Sequence, residues 1–389
     1  MAAKKRSRCR QRPRVALIIE SSFASGRGMF CGIAEYVRQH GPWSIYSEPR
    51  GLEEPPPAWL ADWRGDGIIA RLSNRRIAAA VVNSGIPAVD MLGIAPQPGI
   101  PVVHPDDRAI GRLAAEHLLD RGLRQFGFCG VRANWSQRAC EAFVEALSAV
   151  GHPCQVYELP LHGRLRPSWE SDQERLARWI RQLPKPAGIM ACSDSRAQRV
   201  LEACGRVGVM IPDDVAVIGS GNDETICEFG DPPLSSVVPG YRQVGYEAAR
   251  MLDRLMRGAV APSDPLYLKP LGVVTRQSTD VIAVEDPHTA AAVRFIREHA
   301  CDGVRVQDVA EHCLLSRTEL KRRFRRFLGR SVLDQIVRDR LNRAAQLLAD
   351  TELPIAQIAR LSGFSSQQRM GVVFRAKLGI TPAQYRKQF

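Results

Sequence analysis

At 389 residues, 45% hydrophobic and 24% charged, the chain is long enough for two or three domains with ordinary apolar cores and too mixed in composition to be fibrous or wholly disordered. Its formal net charge of +13 is unevenly placed: residues 1–14 hold seven Lys or Arg and no acid, residues 286–389 hold nineteen against ten Asp or Glu, and the middle carries a slight acidic excess, so a polyanion is expected at the ends of the chain and not at its centre. Ten cysteines without CxxC or Cys/His spacing speak against a zinc site or a disulfide framework, and the lack of an apolar leader or an 18-residue apolar run speaks against export or membrane insertion, which leaves a cytoplasmic protein as the expectation.

Residues 1–14 read as a basic disordered tail. From Val15 strand and helix alternate: a buried strand at Val15–Glu20, a loop at Ser21–Gly28, an amphipathic helix at Met29–His40, then strands near Trp43–Ser47, Gly67–Ala70 and Pro87–Asp90. This is the βαβ rhythm of a parallel sheet. The loop contains Gly26-Arg27-Gly28, but the next glycine is Gly32, one position too late for GxGxxG. No acidic residue ends a second strand about 20 residues on, and a dinucleotide site is set aside. A second series begins near Asp106, with a helix through Gly111–Leu119 and strands at Gln125–Cys129, Gly188–Ala191 and Val215–Ile218.

The run from Val102 to Cys129, the stretch Ile211–Gly219 (IPDDVAVIG) and the stretch Asp231–Val237 (DPPLSSV) resemble the effector domain of the LacI/GalR regulators, over Val15 to about Thr279. The resemblance implies two α/β lobes crossed three times by the chain, with a ligand in the cleft. One lobe would hold 15–106 and 239–262, the other 107–238 and 263–279. Ligands of such sheets bind at the carboxyl ends of the strands, and sugars are held by polar groups against an aromatic or apolar face. Trp135 follows the Gln125–Cys129 strand, Asp194 follows Gly188–Ala191, and Asn222 and Asp223 follow Val215–Ile218. With Arg138, these are the expected effector-binding residues. Two positions depart from the sugar-binding pattern: Gly221 stands where relatives usually place Asp, with Asp223 two further on, and Ala139 where they usually place Arg, with Arg138 beside it. Either these neighbours substitute or the effector differs.

Residues 280–287 read as a linker, and 288–389 carry one pattern twice. The first copy runs Val306, Val309, Ala310, a turn at Leu314-Leu315, then Ser316, Leu320, Phe324, Leu328 and Gly329; the second runs Ile355, Ile358, Ala359, a turn at Gly363-Phe364, then Ser365 or Ser366, Met370, Phe374, Leu378 and Gly379. Apolar residues three and four apart give two amphipathic helices per copy, with a short turn setting their angle. Ser316 with Glu319, and Ser365 with Gln368, are candidate capping boxes that start each second helix. The outer faces of those helices carry Arg317, Thr318, Lys321, Arg322 and Arg325 in the first copy, and Gln367, Gln368, Arg369 and Arg375 in the second. Arg and Lys match guanine edges or phosphates and Gln matches adenine, so both faces suit a major groove of double-stranded DNA.

From Pro287 to Phe389, with a connecting helix at Val332–Ala349 and the closing Gly379, Thr381, Pro382, Tyr385 and Arg386, the chain resembles the DNA-binding domain of the AraC/XylS regulators. Arg369-Met370 departs from that family's usual aromatic pair, and Met is flexible enough to fill the core position. The two resemblances together imply an α/β two-lobed periplasmic-binding-protein-like sensor domain followed by an all-α tandem helix-turn-helix domain. They imply a dimeric transcription activator of carbohydrate-utilisation genes, with a sugar such as xylose or a related pentose as effector and RNA polymerase as a further partner. No cofactor, metal or membrane partner is expected. The rivals are a sugar-processing or nucleotide-dependent enzyme and a transport-type or other sugar-binding protein. Against the enzyme stand the missing P-loop, GxSxG, metal cluster and paired carboxylates, and against the transporter the missing leader.

Overall fold

The computed structural model describes residues 12–51, 54–160, 168–281 and 286–386, without the side chains of 349 and 350. Most of the expected basic tail, and residues 282–285 of the expected linker, lie outside the described residues. In chain order the structure has β1 (Arg14–Ile18), α1 (Ala24–His40), β2 (Ser44–Ser47), β3 (Gly67–Ala70), α2 (Arg75–Asn83), β4 (Ala88–Asp90), β5 (Val103–Pro105), α3 (Asp107–Leu119), β6 (Gln125–Arg132), α4 (Asn134–Ser148) and β7 (Cys154–Pro160). Then come α5 (Trp169–Gln182), β8 (Ala187–Ala191), α6 (Asp194–Arg206), β9 (Val215–Ser220), α7 (Glu224–Phe229), β10 (Ser235–Val238), α8 (Tyr241–Met256), β11 (Leu266–Leu268) and β12 (Gly272–Val274). The rest is helical: α9 (Pro287–His299), α10 (Val306–His312), α11 (Arg317–Leu328), α12 (Val332–Asp350), α13 (Ile355–Leu361), α14 (Gln367–Leu378) and α15 (Pro382–Arg386).

The chain divides into two compact units, residues 1–105 with 240–268, and residues 106–239 with 269–389. The third crossing falls after Leu268 and not at Pro262, because β11 pairs in parallel with β5, Leu266 opposite Val103, and so belongs to the first unit. In that unit a parallel sheet runs β2-β1-β3-β4. Helix α1 begins at Ala24 and takes in most of the expected loop. Its glycines explain why: a Cβ on Gly26 would lie 1.7 Å from the Glu20 carbonyl oxygen, one on Gly32 1.8 Å from the Arg242 carbonyl oxygen, and one on Gly245 2.0 Å from that of Met29. Residues that read locally as loop are wound into a helix that meets α8 backbone to backbone, and this close approach outweighs their weak helix propensity.

The second unit holds a six-stranded sheet ordered β12-β10-β9-β8-β6-β7, parallel except for β12. The helices of 288–389 do not stand apart as a separate unit. Val238, Leu271 and Val274, at the β10–β12 edge, share one apolar cluster with Leu341, Ala344, Ala345 and Leu348 of α12 and with Ile358, Phe364, Met370, Phe374 and Tyr385. Burying an apolar side chain of this size contributes about 1.5–3 kcal/mol, so the sheet edge and the second helix-turn-helix share a core. The first helix-turn-helix has its own: Val309, Ala310, Leu320 and Phe324 packed with Val293, Ile296, Val332 and Ile336.

Candidate DNA-reading and effector-binding sites

Each recognition helix starts on a serine and ends on a left-handed glycine. Ser316 Oγ accepts from Glu319 N, Ser366 Oγ accepts from Arg369 N, and Gly329 and Gly379 close the helices at φ 67° and 76°. The second cap is Ser366, not Ser365, so the expected box with Gln368 does not form. The first box is only half made. Glu319 receives Arg322 Nε at 2.9 Å and Arg323 Nε at 2.7 Å, and these guanidinium groups hold its carboxyl down to about 2. The turns match: Gly363 has φ 74°, and Leu314, its counterpart, has φ 55° and is 92% exposed. In the second copy a side chain could not replace the glycine, since its Cβ would lie 2.7 Å from the Ala300 carbonyl oxygen.

With the caps fixed, the outward faces follow from the 3.6-residue period. Arg317, Thr318, Lys321, Arg322 and Arg325 on α11, and Gln367, Gln368, Arg369 and Arg375 on α14, are all exposed, while Met370 is fully buried beside Phe374. Arg322 is the one of these whose guanidinium is engaged by Glu319 on its own helix, a surface pair worth little and readily exchanged for a phosphate or a guanine edge.

The expected effector residues fall in the second unit and divide into two groups. Asp194, the first residue of α6, is 2% exposed. Its Oδ1 accepts from Ser236 Oγ at 2.5 Å and its Oδ2 from Asp223 N at 2.8 Å. Asn222 has φ 49°; its N donates to Ser236 Oγ at 3.0 Å and its Oδ1 accepts from Arg276 Nη1 at 3.0 Å. Asp194, Asn222 and Asp223 thus form one network at the carboxyl ends of β8 and β9, joined through Ser236 of β10. Trp135 and Arg138 lie on α4. Trp135 is half-buried in the first turn, against the core cluster that includes Phe128 and Cys192. Arg138 is turned to α3, its Nη2 2.6 Å from Asp107 Oδ2. Ala139 is buried where α3 and α4 touch, for a Cβ on Gly111 would come within 2.1 Å of its carbonyl oxygen.

Three residues were missed by the sequence reading. Arg276, just after β12, binds the network from the far side, with Nε on Glu228 at 2.8 Å and Nη1 on Asn222 and on the Leu234 carbonyl. In the first unit Glu20 and Arg71 form a buried ion pair after β1 and β3, the two strands between which that sheet reverses direction of growth. Arg71 Nη1 also donates to Ser25 Oγ at 3.1 Å, its Nε is buried without a hydrogen-bond partner, and burial lowers its pKa to about 10. The rule that ligands bind at such a switch point would have found this pair, had the strand order been known.

Burial pushes the Asp107 carboxyl up to about 7 and that of Asp194 up to about 6. A carboxyl whose folded pKa lies above its unfolded value holds its proton longer in the folded state, so stability falls as the pH rises from the unfolded pKa through the folded one. Against Asp194→Asn, which does not titrate, the wild type is expected to lose up to ~3 kcal/mol of stability between about pH 4 and pH 7. Urea unfolding of both proteins across that range measures it, and a difference independent of pH would show that Asp194 keeps its ordinary pKa.

Among the described residues no cluster of His, Cys, Asp or Glu could hold a metal ion, and no helix is long and apolar enough to cross a membrane. Residues 115–279 match the model of a periplasmic binding protein-like domain, and 309–388 that of a helix-turn-helix domain. The chain is 30% identical to the xylose operon regulatory protein of Haemophilus influenzae, covering 96% of this chain and 98% of that one. It is 31% identical to the protein of the same description from Escherichia coli K12, covering 97% of each. A solved structure described as a xylose-binding transcription activator superposes with a TM-score of 0.63 at 30% identity, covering 97% of this chain and 98% of that one.

Proposed function

The chain belongs to the family of the xylose operon regulatory proteins, and on that footing we propose that D-xylose or a related pentose is its effector, that effector binding switches on transcription, and that the working form is a cytoplasmic homodimer that engages RNA polymerase. It is a DNA-binding transcription regulator and not an enzyme. The observation that carries the proposal is the pairing, in one chain, of two unlike exposed reading faces with a strand-end polar network of Asp194, Asn222, Asp223 and Arg276. Arg317, Thr318, Lys321, Arg322, Gln367, Gln368, Arg369 and Arg375 read or grip the duplex. The strand-end network, with Trp135 as apolar face and Arg138 beside it, holds the sugar hydroxyls. Arg138 stands in for the arginine absent at Ala139 and is oriented by Asp107. Occupancy shifts the population between two arrangements of the chain.

The test is thermal unfolding with D-xylose, L-arabinose, D-glucose and D-galacturonate. A bound sugar at 100 times its Kd stabilises by ~2.7 kcal/mol. D-Xylose is expected to do so in the wild type and to lose its effect in Trp135→Ala, whose sugar-free DNA affinity stays near that of the wild type. A full shift in the variant would place the sugar elsewhere, and a shift with D-galacturonate alone would replace the pentose by an acidic sugar.

A further inference from the structure

We propose that Asp120 is a positioning residue: it anchors the DNA-binding helices to the effector-binding unit and passes effector occupancy on to them. This rests on reading the strand-end network as the effector site. Asp120 caps the C-terminus of α3, where the helix dipole disfavours negative charge. Two arginines from the DNA-binding region meet it there. Arg330, between α11 and α12, donates through Nη1 to Oδ1 and through Nη2 to the Asp120 carbonyl oxygen, both at 2.5 Å. Arg338, on α12, pairs with Oδ2. Charge-assisted bonds of this forked kind fix direction as well as distance, and the helix they fix is the one on which both helix-turn-helix cores are built.

A buried run of hydrogen bonds joins this anchor to the candidate effector network. Ser236 Oγ is bonded to Asp194, and on the neighbouring residue Ser235 Oγ accepts from Arg276 N at 2.8 Å. Ser235 Oγ lies 2.7 Å from Thr279 Oγ1, which lies 2.9 Å from His117 Nε2. Arg121 closes the run, its Nε on the Thr279 carbonyl and its Nη1 on that of His117 at 2.9 Å. Ser235, Thr279, His117 and Arg121 are all buried, and the last two lie on either side of Asp120, His117 in the last turn of α3 and Arg121 just beyond it. Because these groups are buried and bonded to one another, a sugar that moves Arg276 or Ser236 is expected to move Thr279 and the end of α3 with them. A cavity of about 800 Å³ lined by Glu116, His117, Arg121, Arg276, Arg338 and Asp339 borders both the run and the joint, which leaves both room to shift. Both reading faces stay exposed while the joint is made. It therefore aims the heads and does not cover them.

Full-length wild type, Asp120→Asn, Arg338→Gln and Thr279→Val are compared by three measurements: the thermal shift with D-xylose, DNA affinity with and without saturating D-xylose, and amide hydrogen exchange across 332–345. Arg338→Gln serves if Asp120→Asn folds poorly, because its side chain is 38% exposed. Asp120→Asn and Arg338→Gln are expected to keep the thermal shift, to speed exchange in α12, and to bring the ratio of the two DNA affinities close to one. Thr279→Val is expected to lose the ratio while α12 exchange stays slow, since it breaks the run and leaves the anchor, an outcome a merely structural ion pair would not give. An undiminished ratio in the Asp120 and Arg338 variants overturns the proposal. If D-xylose neither stabilises the wild type nor alters its DNA binding, the effector assignment fails, and the exchange data alone judge the anchor: unchanged exchange in both joint variants refutes it.

Discussion

Inserting five base pairs between the two motifs of one binding site is expected to lower affinity by about a thousandfold or more, to the level of non-specific DNA. Helix α12 has 19 residues and spans roughly 28 Å at 1.5 Å per residue. One end is built into the first core through Val332 and Ile336, and the other into the second through Leu341, Ala344 and Leu348. The α11 and α14 faces are thus fixed on one rod, which suits two major-groove segments one turn, about 34 Å, apart. Five base pairs turn one groove to the far side of the duplex. Ten restore the face but add a full turn of length, and a helix cannot stretch to meet it, so the longer insertion should weaken binding nearly as much. Because α11 presents Arg317, Lys321 and Arg322 while α14 presents Gln367, Gln368 and Arg369, the two motifs should differ, and the site for one chain should be asymmetric. Fluorescence anisotropy at one fixed salt concentration, needed because phosphate contacts dominate affinity, decides the matter. Full affinity with the ten-pair insertion would mean that α12 unwinds or bends.

The tandem helices were legible because their signal is local. Leu320 and Phe324, and again Met370 and Phe374, lie four apart and are buried, and a serine and a glycine bracket each recognition helix. The strands β1, β3, β6, β8 and β9 were legible for the same reason, as short apolar runs between turns. What escaped the sequence depends on neighbours distant along the chain. Glu20 meets Arg71 only because β1 lies beside β3, Arg276 meets Asn222 only because β12 returns antiparallel to β10, and Asp120 meets Arg330 across 210 residues. The start of α1 was misplaced because Gly26 and Gly32 are chosen for contact and not for helix propensity. Arg138 turns to Asp107 because α3 packs on α4, a contact that periodicity does not encode.

The departure at Gly221 has the same kind of origin, and restoring the aspartate usual in sugar-binding relatives is expected to damage the fold instead of changing the sugar. Gly221 has φ 132°, and a Cβ there would lie 2.8 Å from Asp194 Oδ2. Forcing a side chain into that backbone region costs ~1–3 kcal/mol, and a second carboxylate against a buried first adds like-charge repulsion. The total expected for Gly221→Asp is a loss of ~3 kcal/mol or more, which lowers the thermal midpoint by roughly 6–12 °C where the unit that melts is about 150–250 residues long. Gly221→Ala separates the causes, since it carries the strain and the contact without the charge. The electrostatic share has a further signature. Asp194 titrates at about 6, so the gap between the Asp and Ala variants should shrink as the pH is lowered from 7 to 5 and one carboxyl takes up a proton, and it should be largest at pH 7 and above. If Gly221→Asp instead melts like the wild type and prefers a different sugar, the position selects the effector, and the crowding by Asp194 does not govern it.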